Sequence, residues 1–235
     1  MQPKRVMLKI SGEMFVGDKE SGIDFGALKS VAAGVAKFRE QTGLELCITV
    51  GAGNLWRYRD SMGSGIDRVK ADQMGMAATN LNGVALASAL MEIGVPATAL
   101  TGFGTPGLVA DYERDWALEM VEDGHVVVLC GGTGNPFFTT DSSAVLRALE
   151  LNCDLFMKGT KVDGVYDKDP KKHNDAKKFE ELSYAQVLEM GLEVMDLTAV
   201  SLAKDNSLPM LVFEFNDTEV LLSVLKNNKL GTLVS

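Results

Sequence analysis

Several residue types that build common functional sites are scarce in this sequence. Its 235 residues include two histidines, His125 and His173, and their wide separation argues against a histidine-rich zinc site. The three cysteines are odd in number, lie in apolar stretches and form no CxxC pair. We therefore expect buried, reduced thiols and a cytoplasmic location.

Positively charged residues are also fewer than negatively charged ones. Lysine and arginine together number 23 against 32 aspartates and glutamates, which gives a net charge of −9 at pH 7. This balance argues against a broad contact with the backbone of a nucleic acid. Any phosphate binding must therefore depend on a few local cations and on backbone amides.

The sequence has no segment with the composition of a membrane span, and we expect no membrane partner. Residues 73–91 carry no charge, yet they include a glutamine, two asparagines and many small residues. A helix buried in protein fits this stretch better, either in the core or at a subunit interface. The chain is 46% hydrophobic and 23% charged, which is typical of an ordinary globular protein.

Short apolar runs alternate with amphipathic segments along the chain. The runs predict strands at residues 5–10, 44–50, 95–100, 125–130, 154–158, 210–215 and 232–234. Helices are predicted at residues 24–41, 73–91, 112–122, 141–150, 183–190, 196–203 and 217–226, with N-caps at Asp67, Asp141 and Ser183. A polar, basic stretch at residues 159–178 predicts a surface hairpin or flap. The alternation indicates an α/β fold whose mostly parallel sheet is covered by helices on both faces.

Glycine-rich turns follow three of the predicted strands. They lie at residues 11–12, 51–54 and 131–135. The carboxyl ends of parallel strands meet at one edge of a sheet, where glycine backbone and helix N-termini can bind phosphate groups. Each turn alone is compatible with a purely structural role, but the three together favour a phosphate-binding pocket.

Two familiar nucleotide-binding motifs do not account for this pocket. Residues 102–107 match GxGxxG, but Pro106 removes an amide N–H and the next strand ends in glycines rather than in Asp or Glu. The sequence contains no GxxxxGK[ST] P-loop and lacks the HRD and DFG motifs of protein kinases. Phosphoryl transfer would therefore need another scaffold.

Three charged residues lie next to the predicted turns. Lys9 could place its ammonium group between two phosphates, and Arg57 could add a bidentate phosphate contact. Either could instead be a solvated surface charge. Asp141 could cap its helix, organise Lys9, or do both.

Five segments of the chain together resemble bacterial uridylate (UMP) kinases of the amino-acid kinase family. They are KISGE at 9–13, GAGNLWR at 51–57, DQMGM at 72–76, GTGNPFFTTD at 132–141 and KVDGVY at 161–166. The resemblance extends from about residue 5 to the C-terminus. GTGNPFFTTD is highly specific, whereas KISG and GAGN mark only the wider family.

The resemblance implies a three-layer α/β/α sandwich with a central, mostly parallel sheet. A single domain would span residues 1–235, with UMP on an N-terminal lobe of about 1–150 and ATP on a C-terminal lobe of about 151–235. The implied reaction is direct phosphoryl transfer from ATP to UMP. Two alternatives stay open: a nucleotide sensor or storage protein on the same fold, and a family member that acts on carbamate or an acidic amino acid.

The resemblance also assigns residues to the two nucleotides. Those matching the ATP site are Lys9, Ile10, Ser11, Gly12, Gly53, Arg57, Thr160, Tyr166 and Asp169. Those matching the UMP site are Ala52, Asp72, Thr133, Gly134, Asn135, Pro136, Phe137, Phe138, Thr139 and Thr140. Catalysis is assigned to Lys9, Asp141 and Arg57, with Lys158 in support.

Further implications concern the metal and the assembly. Mg²⁺ is expected to arrive with ATP and not in a protein cage, and a homohexamer with GTP activation and UTP inhibition is implied. The chain departs from the family pattern at Ala52, where a glycine is usual, so its backbone must avoid positive φ. Tyr58 likewise replaces the usual small residue after the arginine.

Overall fold

A computed structural model describes residues 3–192, 194–215 and 219–235, which fold around one nine-stranded sheet. The strands are β1 (Arg5–Ile10), β2 (Glu45–Val50), β3 (Ala97–Thr101), β4 (Ala110–Asp111), β5 (Val126–Cys130), β6 (Leu155–Thr160), β7 (Glu181–Leu182), β8 (Met210–Glu214) and β9 (Thr232–Val234). Their order across the sheet is β4-β3-β5-β2-β1-β6-β8-β9-β7, so β1 is the middle strand. Every pairing is parallel except that between β8 and β9.

Seven helices lie on the two faces of the sheet within the described residues. They are α1 (Phe25–Thr42), α2 (Arg68–Glu92), α3 (Arg114–Glu122), α4 (Thr140–Glu150), α5 (Tyr184–Glu189), α6 (Leu197–Asp205) and α7 (Glu219–Lys226). Helices α1, α2 and α7 share one hydrophobic cluster with the sheet, and α3 to α6 share the other. The predicted three-layer α/β/α sandwich is thereby confirmed.

The middle strand shows how the sequence builds both layers. Val6, Leu8 and Ile10 belong to the cluster on the α1–α2 face, whereas Met7 belongs to the cluster on the α4–α6 face. Side chains alternate along a strand, so Lys9 lies on the same face as Met7. This parity places its ammonium group on the side of the sheet that carries α4.

The predicted strands are all present, with bounds within two residues of the prediction. The two-residue strands β4 and β7 were not predicted. The N-caps at Asp67 and Ser183 are confirmed, but the N-cap at Asp141 is wrong. Thr139 caps α4 by accepting from the backbone N–H of Asp141 and Ser142, so Asp141 lies inside the first turn. The predicted start of the last helix, at residue 217, lies outside the described residues.

The charge-free stretch at residues 73–91 lies within α2 and is partly buried. Leu86 and Leu90 are fully buried in the core, whereas Leu81 and Met91 are exposed. Within residues 3–192, 194–215 and 219–235, no helix combines the length and apolarity needed to cross a membrane. The three cysteines are free and buried, as expected.

Candidate functional site: a buried pair of lysines near the carboxyl ends of the central strands

Lys9 and Lys158 lie opposite each other on neighbouring parallel strands. They are register partners in the pairing of β1 with β6, so their side chains leave the same face of the sheet. Asp141, in the first turn of α4, lies between their ammonium groups. Lys158 Nζ is 2.5 Å from Asp141 Oδ2, and Lys9 Nζ is 3.3 Å from Oδ1. Lys158 also donates to the carbonyl of Val194 at 2.6 Å.

This lysine–aspartate centre combines burial with an excess of positive charge. The three side chains are 11–15% exposed. Burial alone would raise the pKa of Asp141, but Lys9 and Lys158 outweigh it and hold that pKa below its usual value. Burial lowers the pKa of the Lys158 ammonium, attraction to Asp141 opposes this shift, and repulsion from Lys9 reinforces it. Two cations sharing one carboxylate favour the binding of an additional anion.

The three glycine turns lie at the carboxyl ends of neighbouring strands, and the first two contact each other. They follow β1, β2 and β5, which are adjacent in the sheet. A Cβ atom on Gly12 would lie 2.4 Å from Asn54 Oδ1 and 2.6 Å from the carbonyl oxygen of Gly51, so the first two turns touch at Gly12. In the third turn, Gly131, Gly132 and Gly134 adopt positive φ. The predicted convergence of the turns at one edge is confirmed.

Asn82 fixes the turn after β2 and was missed by sequence reasoning. Its side chain is fully buried in α2 and donates to Asn54 Oδ1 and to the carbonyl of Gly51, both at 2.7 Å. Asn54 returns a hydrogen bond to Asn82 Oδ1 at 3.0 Å. A buried amide in the charge-free helix was the available signal, because buried polar groups must find partners.

The first cavity at this edge, here called the α2 cavity, has a volume of about 300 Å³. Its lining includes many of the residues predicted for UMP: Ala52, Asp72, Thr133, Asn135, Phe138, Thr139 and Thr140. Trp56, Tyr58, Arg68 and Met76 also line it and were not predicted. Gly134 and Pro136 lie in the same loop without lining the cavity, and Phe137 instead donates its backbone N–H to Asp72 Oδ2 at 2.8 Å.

A second cavity, the β1–β6 cavity, has a volume of about 340 Å³ and contains the lysine pair. Lys9, Ser11, Lys158 and Thr160 line it, together with the unpredicted Glu13 and Lys161. Glu13 forms ion pairs with both Arg57 and Lys161, and these cations hold the pKa of its carboxyl below the usual value against the opposing effect of burial.

A third cavity, the flap cavity, has a volume of about 610 Å³ under the segment 160–173. Lys158 and Thr160 border it as well as the β1–β6 cavity, and Tyr166 and Asp169 line it. Tyr166 donates to Asp163 Oδ1 at 2.6 Å, and this hydrogen bond raises the pKa of Tyr166 to about 12. The flap contains an antiparallel bridge between Tyr166 and Lys178, in agreement with the predicted hairpin.

The sequence model of the Amino acid kinase family matches residues 4–214. This chain belongs to the amino acid kinase family. Among curated relatives of this family member, the uridylate kinase of Bacteroides thetaiotaomicron is 44% identical over 231 residues, 98% of each chain. The uridylate kinase of Xanthomonas euvesicatoria is 43% identical over 98% of this chain and 96% of its own.

Solved structures agree with these sequence matches. A UMP kinase from Bacillus anthracis superimposes with a TM-score of 0.95 at 32% identity, covering 100% of this chain and 97% of the other. A UMP kinase from Ureaplasma parvum gives 0.93 at 34% identity over the full length of both chains. The amino acid kinase fold of the chain is therefore shown by sequence and by structure.

Three further residues that were predicted for the site are characterised by their backbone rather than by a side-chain contact. Ile10 is buried in the core, and its carbonyl accepts from the N–H of Gly51 at 2.9 Å. Gly53 lines the α2 cavity and accepts from Arg57 Nε at 2.9 Å. Ala52 avoids positive φ, as its methyl group requires.

We predict that the Lys158→Met variant has a higher Asp141 pKa, because one of the two cations that stabilise the ionised carboxylate is removed. The measurement is a ¹³C NMR titration of the Asp141 carboxyl carbon. In the wild type the two lysines hold this pKa below the usual aspartate value, so the ionised group stabilises the fold at neutral pH and this contribution is lost as the pH falls through the lowered pKa. Lys158→Met should lose it at a higher pH.

The matched control is Lys161→Met, which removes a lysine that pairs with Glu13. It should leave the Asp141 titration unchanged. An Asp141 titration that is identical in wild type and Lys158→Met would show that Lys158 does not stabilise the carboxylate.

Proposed function

We propose that this chain is an ATP-dependent UMP kinase, which transfers the γ-phosphoryl group of ATP to UMP and releases ADP and UDP. The observation that supports this most is the buried, net-positive centre of Lys9, Asp141 and Lys158: both lysines line the β1–β6 cavity, and Thr140, the neighbour of Asp141 in α4, lines the α2 cavity. The names of full-length relatives give uridylate as the substrate of those proteins, and the chemistry of this site suits UMP together with ATP.

Lys9 is proposed as the catalytic residue that contacts the phosphoryl group in transfer. During transfer, negative charge redistributes over the oxygens of the donor, the moving group and the acceptor, so a preorganised ammonium group lowers the barrier. Asp141 holds Lys9 and Lys158 close together despite their repulsion. Arg57 is proposed as a second cation for the phosphates, after exchange of its contact with Glu13.

The donor nucleotide is assigned to the β1–β6 and flap cavities. Its phosphates are placed near Lys9, Ser11, Gly12, Gly53 and Arg57, and its adenosine near Thr160, Tyr166 and Asp169. The acceptor is assigned to the α2 cavity, with Asp72 at the ribose and the 133–140 loop around the base. The residues assigned to UMP lie in the predicted N-terminal lobe of about 1–150 and those assigned to adenosine in the predicted C-terminal lobe of about 151–235, whereas the residues assigned to the ATP phosphates belong to the N-terminal lobe.

The wall of the α2 cavity favours a nucleotide over the alternative acceptors. Trp56 and Phe138 present aromatic surface to it. A small carboxylate substrate would need cations or amides at that position, whereas a uracil ring packs well against aromatic side chains. The retained Lys9 and Asp141 likewise favour an enzyme over a nucleotide sensor or storage protein.

Mg²⁺ is proposed to enter bound to ATP, where it would neutralise phosphate charge during transfer. Glu13 and Glu214 line the β1–β6 cavity, and Asp141 pairs with its two lysines. Glu13 and Asp141 are each paired with two cations. They therefore suit the organisation of cations better than the direct ligation of a metal. A homohexameric assembly, regulation by GTP and UTP, and a cytoplasmic location complete the proposal, on the resemblance to uridylate kinases.

We predict a strong preference for UMP in a coupled assay with ATP and Mg²⁺ across UMP, CMP, dTMP and GMP. A site that hydrogen-bonds the N3–H and O4 of uracil meets mismatched groups on cytosine, and such mismatches can discriminate by about 10⁴. Equal turnover of UMP and CMP would contradict the proposal.

A comparison of Lys9→Ala with Asp169→Ala separates catalysis from binding. Loss of Lys9 should lower kcat by about 10² to 10³ with modest changes in KM, because its contact strengthens in the transition state. Asp169→Ala should mainly raise the KM for ATP, because its contact lies remote from the reacting atoms. Steady-state kinetics on folded variants measures both, and a near-normal kcat for Lys9→Ala would refute the catalytic assignment.

A further inference from the structure

Arg68 is the first residue of α2 and lies directly on a carboxylate of the α2 cavity. Its Nε atom is 2.9 Å from Asp72 Oδ1 and 2.8 Å from Oδ2. The two residues are four positions apart, so they face each other across one helical turn. The Asp72 side chain is 12% exposed and that of Arg68 is 42% exposed. Both residues line the α2 cavity, and the arginine is the more solvent-exposed partner of the pair.

Two aromatic rings flank the guanidinium group. Arg68 Cζ lies 4.1 Å from the centre of the Tyr58 ring and 5.7 Å from that of Phe137. These are distances at which a guanidinium group is attracted to an aromatic face. We call Tyr58, Arg68, Asp72 and Phe137 the Arg68 clamp.

The Arg68 clamp also fixes the backbone conformation of the 133–140 loop, which lies on the opposite wall of the α2 cavity. Phe137 has a φ of 72°, a left-handed conformation that a phenylalanine rarely adopts. Its N–H donates to Asp72 Oδ2 at 2.8 Å, which holds the backbone in this conformation. The orientation of the Asp72 carboxylate is thus linked to the loop that carries Phe138 and Thr139 into the cavity.

Asp72 retains the capacity to bind a ligand in this arrangement. A carboxylate offers about four lone-pair positions. The contacts with Arg68 and with the Phe137 N–H occupy three of them. Because Asp72 lines the cavity, the remaining position can accept a hydrogen bond from a hydroxyl group of a bound molecule.

We propose that Arg68, held in place by Tyr58, is a positioning residue that orients Asp72 toward the ribose hydroxyls of the acceptor and so makes the enzyme prefer ribonucleotides over 2′-deoxyribonucleotides. This inference rests on the proposed function. Without Arg68, the carboxylate can rotate and loses its charge partner, so the contact that distinguishes the two sugars is weakened. Arg68 itself need not touch the substrate.

The test compares kcat/KM for UMP and dUMP, with ATP and Mg²⁺, in wild type, Arg68→Ala, Tyr58→Ala, Asp72→Asn and the double variant Arg68→Ala/Asp72→Asn. A hydrogen bond to a charged group corresponds to a preference of about tenfold or more for UMP in the wild type. Arg68→Ala should reduce the UMP/dUMP ratio at least about threefold, and Tyr58→Ala should reduce it less. Arg68→Ala should have no further effect on the ratio once Asp72 is Asn.

The matched control is Arg114→Ala, because Arg114 is a half-exposed arginine on α3 that pairs with Asp115 at 2.6 Å. It should retain the wild-type ratio. A purely structural role of Arg68 would change both substrates in parallel and leave the ratio untouched. Thermal denaturation verifies folding, and if Arg68→Ala does not fold, Tyr58→Ala decides the question with Arg68 in place.

Three results would overturn the inference. They are a wild-type ratio near one, an unchanged ratio in both folded clamp variants, and a further loss of discrimination when Arg68→Ala is added to Asp72→Asn. If the wild type phosphorylates UMP but the ratio behaves in one of these ways, the inference alone fails. If the wild type phosphorylates neither UMP nor dUMP, the proposed function fails with it.

Discussion

Two lysines that share one buried carboxylate are the constraint on which the rest of the site depends. Lys9 and Lys158 can face each other because β1 and β6 are parallel neighbours in the centre of the sheet. Their repulsion at close range is tolerated because the first turn of α4 brings Asp141 between them. A group with one or two negative charges suits this centre, whose net charge is positive, and a phosphoryl group is such a group.

Carboxylates also pair with the other cations near the carboxyl ends of the strands. Glu13 joins Arg57 from the turn after β2 to Lys161 from the flap, and Asp72 holds Arg68. In a protein with a net charge of −9, these five cations lie at or beside the α2 and β1–β6 cavities. Each carboxylate orients its cation and limits repulsion, which suits the two anionic nucleotides that we propose for these cavities.

The sequence alone predicted the longer strands and the layered fold. The strand at residues 5–10 was obtained with its exact bounds because buried parallel strands are continuous apolar runs. The strands at Ala110–Asp111 and Glu181–Leu182 were missed because two residues carry no periodicity. The cap of α4 was misplaced because Thr139 and Asp141 are both good N-cap residues, and only the backbone path decides between them.

The partners of the site residues were harder to predict than the residues themselves. Glu13 pairs with side chains from distant loops, so no local pattern reveals its role.

The most direct test of the lysine–aspartate centre is a crystal structure with UMP and an ATP analogue whose β–γ bridge is a methylene group. Our account predicts a γ-phosphate oxygen within about 3.2 Å of Lys9 Nζ. A γ-phosphate that lies beyond hydrogen-bond reach of both lysines would contradict it.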